Sequence, residues 1–217
     1  KAGIARTFQN IRLFKNLSVI DNVKLGLHNQ VKYSTIEGIL RLPRYFSAEK
    51  KMNKKAMELL EVFGLENEAD TLADNLPYGK QRKLEIARAL ATNPKLLLLD
   101  EPAAGLDPAG RRSILGGLCK YMREHGTTVI LVSHSMEDMA YYCDNVVVMS
   151  KAKIFAEGCV DEIFSRADDL SEIGLDVPMI SKIATNLKKR GFNLEGRLYT
   201  VEGVRDAILS YRKEAKK

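Results

Sequence analysis

Four leucines, Leu96–Leu99, followed at once by Asp100 and Glu101, constrain this chain more than any other stretch of it. A run without polar alternation reads as a strand covered on both faces, as in parallel sheets flanked by helices. Thr127–Val132 has the same character. Between them, Asp107-Pro108 places a capping side chain before a proline at the first helical position, and the helical pattern runs to His125-Gly126. Strand, helix and strand make a βαβ unit, with a right-handed crossover expected. The predicted fold class is α/β, built on a parallel sheet.

Upstream of Leu96 the signal is mostly helical. Ser18-Val19-Ile20-Asp21 reads as a helix start, and a helix from about Ala48 to Phe63 sets Met52, Ala56, Leu59, Leu60 and Phe63 on one face before stopping at Gly64. Asn93-Pro94 ends the next helix. Downstream, Ser135–Asp138 has the form of a capping box, and the strand Asn145–Met149 returns through Lys151-Ala152 to Lys153–Ala156 as a hairpin. Short helices over Pro178–Arg190 and Thr200–Lys213 complete the chain. The expected division is a domain over 1–160 with a helical subdomain at about 15–92, and a helical extension over 161–217.

Composition narrows the function classes. With 45% hydrophobic residues the chain can bury a core, and 34 Lys+Arg against 28 Asp+Glu leaves +6, too modest to call for nucleic acid. Apolar runs such as Leu96–Leu99 stop far short of the roughly 18 residues of a spanning helix, so any membrane role is expected to come through another subunit. Cys119, Cys143 and Cys159 are odd in number and widely spaced, which predicts packing residues in a reducing compartment. The start at Lys1, without an initiator Met or an apolar leader, suggests a beginning inside a domain.

Asp100 and Glu101 fall at the carboxyl edge of the predicted sheet, where ligands of such sheets bind. One acid can hold Mg²⁺, directly or through water, and the next can orient or deprotonate water for phosphoryl transfer. Read alone, the pair fits equally well a strand that ends in a polar loop. Leu76–Leu90 places a glycine turn at the start of a helix, whose N–H groups make an anion site. Ala104–Asp107 is a tight turn, and His134 follows the second strand, so it is expected near Glu101. His28 and His125 sit in helical contexts.

The order of these motifs resembles the ATP-binding subunits of ABC transporters: Gln9 after Arg6-Thr7-Phe8 as the Q-loop, Leu76–Gln81 as the signature, Leu96–Glu101 as Walker B, Ala104–Asp107 as the D-loop and His134 as the switch. The resemblance implies ATP and Mg²⁺ as cofactors. Gln9 would touch the Mg²⁺ or its water and relay to the membrane subunit, Asp100 would hold the metal shell, Glu101 would polarise the lytic water and His134 would contact the γ-phosphate. Pro77, Tyr78, Gly79, Lys80 and Gln81, with Asp107, would clamp nucleotide held by the opposite subunit. The implied partners are a second ATPase subunit, identical or not, and an integral-membrane transporter subunit, which would hold the chain at the cytoplasmic face of the membrane. The implied activity is ATP hydrolysis at a dimer interface coupled to uptake of an amino acid, vitamin or metal ion.

Several departures stand out. Pro77 replaces the usual signature Ser, Tyr78 the first Gly and Lys80 the Gln. Proline removes a hydroxyl and an N–H while Lys80 adds charge, so binding would lean on the helix dipole, Gly79 and Lys80; equally, Pro77 could simply stiffen the turn. The phosphate-cradling Gly-x-x-x-x-Gly-Lys-Ser/Thr is absent from the 217 residues, whose one Gly-Lys pair is Gly79-Lys80. The resemblance puts that loop upstream of Gln9, so the chain is expected to be truncated there, its sheet lacking the phosphate-loop strand and its strand edges prone to aggregation or dimerisation.

Gly3–Phe14 and Leu76–Gly79 are similar to branched-chain amino-acid importer ATPases, whereas Gly126–Ala140, Asp161–Phe164 and Ile173–Pro178 look like energy-coupling factor ATPases of vitamin and cobalt uptake. The shift near Leu96–Arg111 implies a mosaic chain. Two other readings stay open: a soluble ABC-type ATPase acting on nucleic acid or ribosomes, for which Lys50-Lys51-Lys54-Lys55 and Lys188-Lys189-Arg190 could be cited, and a non-hydrolysing fragment. Interleaved Glu49 and Glu58 favour a solvated helix face over a nucleic-acid surface.

Overall fold

Leu96–Asp100 forms the central strand, β2, of a three-stranded parallel sheet in order β1-β2-β3, with β1 at Ile4–Arg6 and β3 at Thr128–Val132. Leu97 aligns with Ala5 and Val129, Leu98 with Arg6 and Ile130, and the Thr7 N–H extends the ladder to the Leu98 carbonyl at 3.0 Å. The computed structural model describes residues 3–8, 10–28 and 43–214, without the side chains of residues 167, 168 and 214. They divide into two compact units, Lys1–Val132 and Ser133–Lys217.

Coverage of the sheet corrects one expectation. Leu97 and Leu99 are buried, but Leu96 and Leu98 on the opposite face are only half-buried, and beside them Ile130 and Val132 are 47% and 56% exposed. The face of β2 that carries Leu97 and Leu99 is therefore closed, while the face that carries Leu96 and Leu98 is only partly covered among the described residues.

The helix between β2 and β3 is built as its ends dictate. Helix α4, Pro108–His125, begins under Asp107, whose carboxylate accepts the Gly110 N–H at 3.2 Å. It ends on Gly126 in the left-handed region, φ 64°, where the Gly126 N–H closes onto Met122. The helical layer before β2 comprises α1 (Val19–Leu27), α2 (Pro43–Phe63) and α3 (Tyr78–Ala91), with α1 packed on both α2 and α3. Helix α2 is described from Pro43, earlier than the apolar pattern suggests, because none of the residues of its first turns is buried, Phe46 included at 58% exposed. Its buried face is Met52, Ala56, Leu59, Leu60 and Phe63, as the spacing predicts. At Gly26 the α1 and α3 backbones nearly touch: a Cβ there would lie 2.5 Å from the Arg88 carbonyl oxygen.

In the second unit, Ser135 caps α5 (Met136–Tyr142) by accepting the Asp138 N–H at 3.3 Å. Strands β4 (Asn145–Ser150) and β5 (Lys153–Cys159) pair antiparallel around Lys151 and Ala152, both at positive φ as a two-residue hairpin turn requires. Helix α6 (Val160–Ser165) follows directly and packs on that hairpin, with the Cys159 N–H donating to Glu162 at 3.0 Å. Beyond α7 (Ala167–Glu172), helices α8 (Met179–Lys189) and α9 (Val201–Glu214) pack together, and the Tyr141 hydroxyl donates to Glu202 of α9. The three cysteines are half-buried and form no disulfide among the described residues.

Candidate functional site

The first unit brings three turns together around the carboxyl end of β2. Immediately after the half-buried Asp100, Glu101 takes a left-handed backbone conformation, φ 46°, costly for a residue with a side chain. Its N–H donates to the Val132 carbonyl at 2.9 Å, and its carbonyl accepts the Ala104 N–H at 3.1 Å. The β2–β3 ladder thus reaches the Glu101 N–H, and the turn begins at the Glu101 carbonyl.

The second turn opens α3. Pro77 is the N-cap and contributes no side-chain hydrogen bond, so the first turn of this 14-residue helix is not closed by a capping side chain. The Pro77 carbonyl accepts the N–H groups of Lys80 and Gln81 at 2.9 and 3.0 Å, and the Gln81 amide returns to the Leu76 carbonyl at 2.9 Å. Lys80 is ion-paired with Glu68, so the charge that replaces the usual glutamine is anchored inside the unit. Burial holds the neighbouring Lys83 ammonium below its ordinary pKa; repulsion from Lys80 adds to this and Glu68 opposes it.

The third turn, Ala104–Asp107, packs on the second. A Cβ on Gly79 would meet the Leu106 side chain at 3.3 Å, and one on Gly105, at φ 72°, would meet the Tyr78 ring at 3.7 Å. Asp107 sits at the end of this turn with its carboxylate engaged as the α4 cap. Pro77–Gln81 and Ala104–Asp107 therefore pack directly against each other, with Gly79 under the Leu106 side chain and Gly105 under the Tyr78 ring.

Of the remaining candidates, Gln9 lies outside the described residues. Thr7 and Phe8 before it and Arg12 after it are held, the latter two with their guanidinium and aromatic groups stacked 4.6 Å apart. His134 belongs to the second unit, exposed, between β3 and the Ser135 cap. Asp100 and Glu101 are hard oxygen donors suited to Mg²⁺. Among the described residues no group of three or more His, Cys, Asp or Glu could hold a metal ion, so an Mg²⁺ there would complete its shell with water and phosphate oxygens.

What sequence reasoning missed is the centre of this arrangement. Arg82, 1% exposed, lies between the turns, paired with buried Glu85 at 2.6 Å. Its signal in the sequence was an Arg and a Glu three apart on a helix otherwise rich in Leu, Ile and Ala.

Comparison with known proteins places this geometry in context. Residues 1–104 match the family model described as ABC transporter. The energy-coupling factor transporter ATP-binding protein EcfA2 of Clostridium perfringens is 38% identical over 166 residues, covering 75% of this chain and 58% of the relative. The high-affinity branched-chain amino acid transport ATP-binding protein LivG of Salmonella typhimurium is 36% identical over 168 residues, covering 77% of this chain and 66% of the relative. The chain thus spans about three fifths to two thirds of the length of these relatives. Among solved structures, cbiO1 of Clostridium perfringens, part of the ABC transporter complex cbiONQ, superposes with TM-score 0.65 at 28% identity, over 86% of this chain and 68% of that one. The ADP conformation of MJ1267, an ATP-binding cassette of an ABC transporter, gives TM-score 0.62 at 29% identity, over 79% and 66%.

Proposed function

This chain belongs to the ABC transporter ATP-binding family, and on that premise we propose that it is the ATP-hydrolysing motor subunit of an importer, working as one of a pair of ATPases with nucleotide between them. The observation that carries the reading is the turn at Asp100-Glu101, set at the carboxyl end of the central parallel strand and packed among the signature and Ala104–Asp107 turns. ATP supplies the phosphoanhydride and Mg²⁺ the charge neutralisation that phosphoryl transfer needs.

Asp100 would hold the metal shell, and Glu101 accepts a proton from, or orients, the attacking water. Gln9 would touch the Mg²⁺ or its water and relay to the membrane subunit, and His134 would donate to a γ-phosphate oxygen. Pro77–Gln81 offers the amide end of α3 to nucleotide bound by the opposite subunit, where the helix dipole favours anions. With Lys80 engaged by Glu68, that recognition rests on main-chain N–H groups and the small Gly79 more than on the ammonium. Asp107 shapes the same surface through its cap. The domain carrying this work is 1–160, and the 161–217 extension is its pairing element.

The chain acts at the cytoplasmic face of the membrane through an integral-membrane partner; among the described residues no helix is long and apolar enough to cross it. The relatives' names point to solutes of the energy-coupling factor or branched-chain amino-acid class. The test is co-expression with candidate membrane and ATPase subunits. A purified assembly containing this chain should hydrolyse ATP, and Glu101→Gln should lower turnover at least about 100-fold while ATP binding persists. Undiminished turnover in that variant, or failure to co-purify with any such subunit, overturns the proposal.

A further inference from the structure

Arg82 spends every N–H it has inside the protein. Nε donates to the Pro102 carbonyl at 3.2 Å; one terminal nitrogen donates to the Phe8 carbonyl and to Glu85, each at 2.6 Å; the other donates to the carbonyls of Asp100 and Glu101 at 2.8 and 3.2 Å. A guanidinium carries five such donors in a rigid fork, and all five are matched. Glu85 continues the chain of contacts, its other oxygen accepting the Arg12 N–H at 3.3 Å. One turn further along α3, Arg88 donates to the Arg12 carbonyl and lies over the Phe14 ring at 5.4 Å.

Positions 82, 85 and 88 form one stripe of α3. They grip two separate pieces of chain by their main-chain groups: the segment on either side of residue 9, and the turn that begins at Asp100. Main-chain carbonyls are what a guanidinium must hold if its purpose is to set a path, because those contacts persist whatever the side chains there are doing. The grip also meets the strain: Arg82 binds the carbonyls on both sides of the Glu101 φ of 46°, helping to keep a conformation that the glutamate would otherwise leave.

We infer that Arg82, seconded by Glu85, is a positioning residue that locks the signature helix to the Asp100-Glu101 turn and to the segment flanking residue 9, so that movement of any one of the three is felt by the other two. The hydrolytic part of this inference rests on the function proposed above; the mechanical part does not. An ordinary buried ion pair would hold the unit together as a whole. A positioning pair holds these segments in particular.

The test uses the full chain and three variants. Arg82→Met removes the fork; Arg82→Lys keeps the charge opposite Glu85 but cannot reach four carbonyls; Glu85→Gln keeps the shape and removes the pair. Native-state amide exchange should speed up about tenfold or more at Glu101, Ala104 and Arg12 in Arg82→Lys, with amides of Leu59 and Leu118 within about twofold of the parent. If Arg82→Met does not fold, Arg82→Lys and Glu85→Gln still decide the matter. Uniform acceleration across the unit, or no acceleration at Glu101, overturns the inference. In an assembly that hydrolyses ATP, Arg82→Lys should lower kcat about tenfold with KM within about twofold, and an unchanged kcat also overturns it. If the parent assembly lacks hydrolysis, the functional proposal fails while the exchange result still stands or falls by itself.

Discussion

Asn22 holds Phe14 by both of its main-chain groups: Oδ1 accepts the Phe14 N–H and Nδ2 donates to the Phe14 carbonyl, each at 3.0 Å. The same amide reaches the Ser18 carbonyl at 3.0 Å, and the side chain is fully buried. One residue of α1 thus closes the loop that leads from residue 9 into the helical layer. Asn22→Ala removes these side-chain hydrogen bonds at once, takes the acceptor from the Phe14 N–H, and should destabilise the first unit by about 2–3 kcal/mol. Urea unfolding followed by probes in residues 1–132 measures this, and a loss under about 0.5 kcal/mol would contradict the role.

Two helical glycines should respond to alanine in opposite directions. At Gly26 the new Cβ meets the Arg88 carbonyl oxygen and the Ala91 methyl at 2.5 and 2.8 Å, forcing α1 from α3, so Gly26→Ala should cost about 1–3 kcal/mol. At exposed Gly116 on α4 nothing lies within 4 Å, so Gly116→Ala should stabilise by about 0.4–1 kcal/mol through a less flexible unfolded chain. Thermal melts of the two variants side by side give the comparison.

The second unit should weaken in alkali. Burial, with a hydrogen bond to Asp161 adding to it, pushes the Tyr199 hydroxyl up to about 12. An unfolded tyrosine ionises near pH 10. The folded form is then the one that keeps its proton, so the stability is complete below about pH 10 and is lost as pH rises from there towards 12. Tyr199→Phe should flatten that slope in pH-dependent unfolding. It should not abolish it, because the hydrogen bond to Glu202 raises the Tyr141 hydroxyl in the same direction.

Ile4, Ile130 and Val132 share the exposed face of the parallel sheet, next to half-buried Leu96 and Leu98. A contiguous apolar face on an outer strand invites association. Sedimentation velocity of the 217-residue chain should show concentration-dependent self-association that Ile130→Lys reduces. Ideal monomer behaviour of the parent chain at high concentration would count against it.

Elements with a local cause could be read directly from the residues. Asp107-Pro108 and Gly126 mark both ends of α4 because capping is local chemistry, and the β4-β5 hairpin was legible because two short apolar runs meet across two residues. Strand β1 was not, since three residues, Ile4-Ala5-Arg6, have no period and become a strand only by pairing with β2. Full coverage of Leu96–Leu99 was overestimated for a related reason: an apolar run reports the preference of the side chains, not whether a neighbour closes over them. The site divided in the same way. Asp100, Glu101 and the glycine turns could be found in order along the chain, but Arg82 could not, because its five acceptors come from residues 8, 85, 100, 101 and 102 and exist as a set only after folding. The pairing of Lys80 with Glu68 was hidden for the same reason.

The left-handed backbone at Glu101 carries a lesson for anyone redesigning this chain. Judged by local geometry, position 101 asks for glycine or asparagine, so a procedure that optimises stability residue by residue would replace the glutamate early. On the role proposed for Glu101, that glutamate is a residue such a procedure should be forbidden to touch.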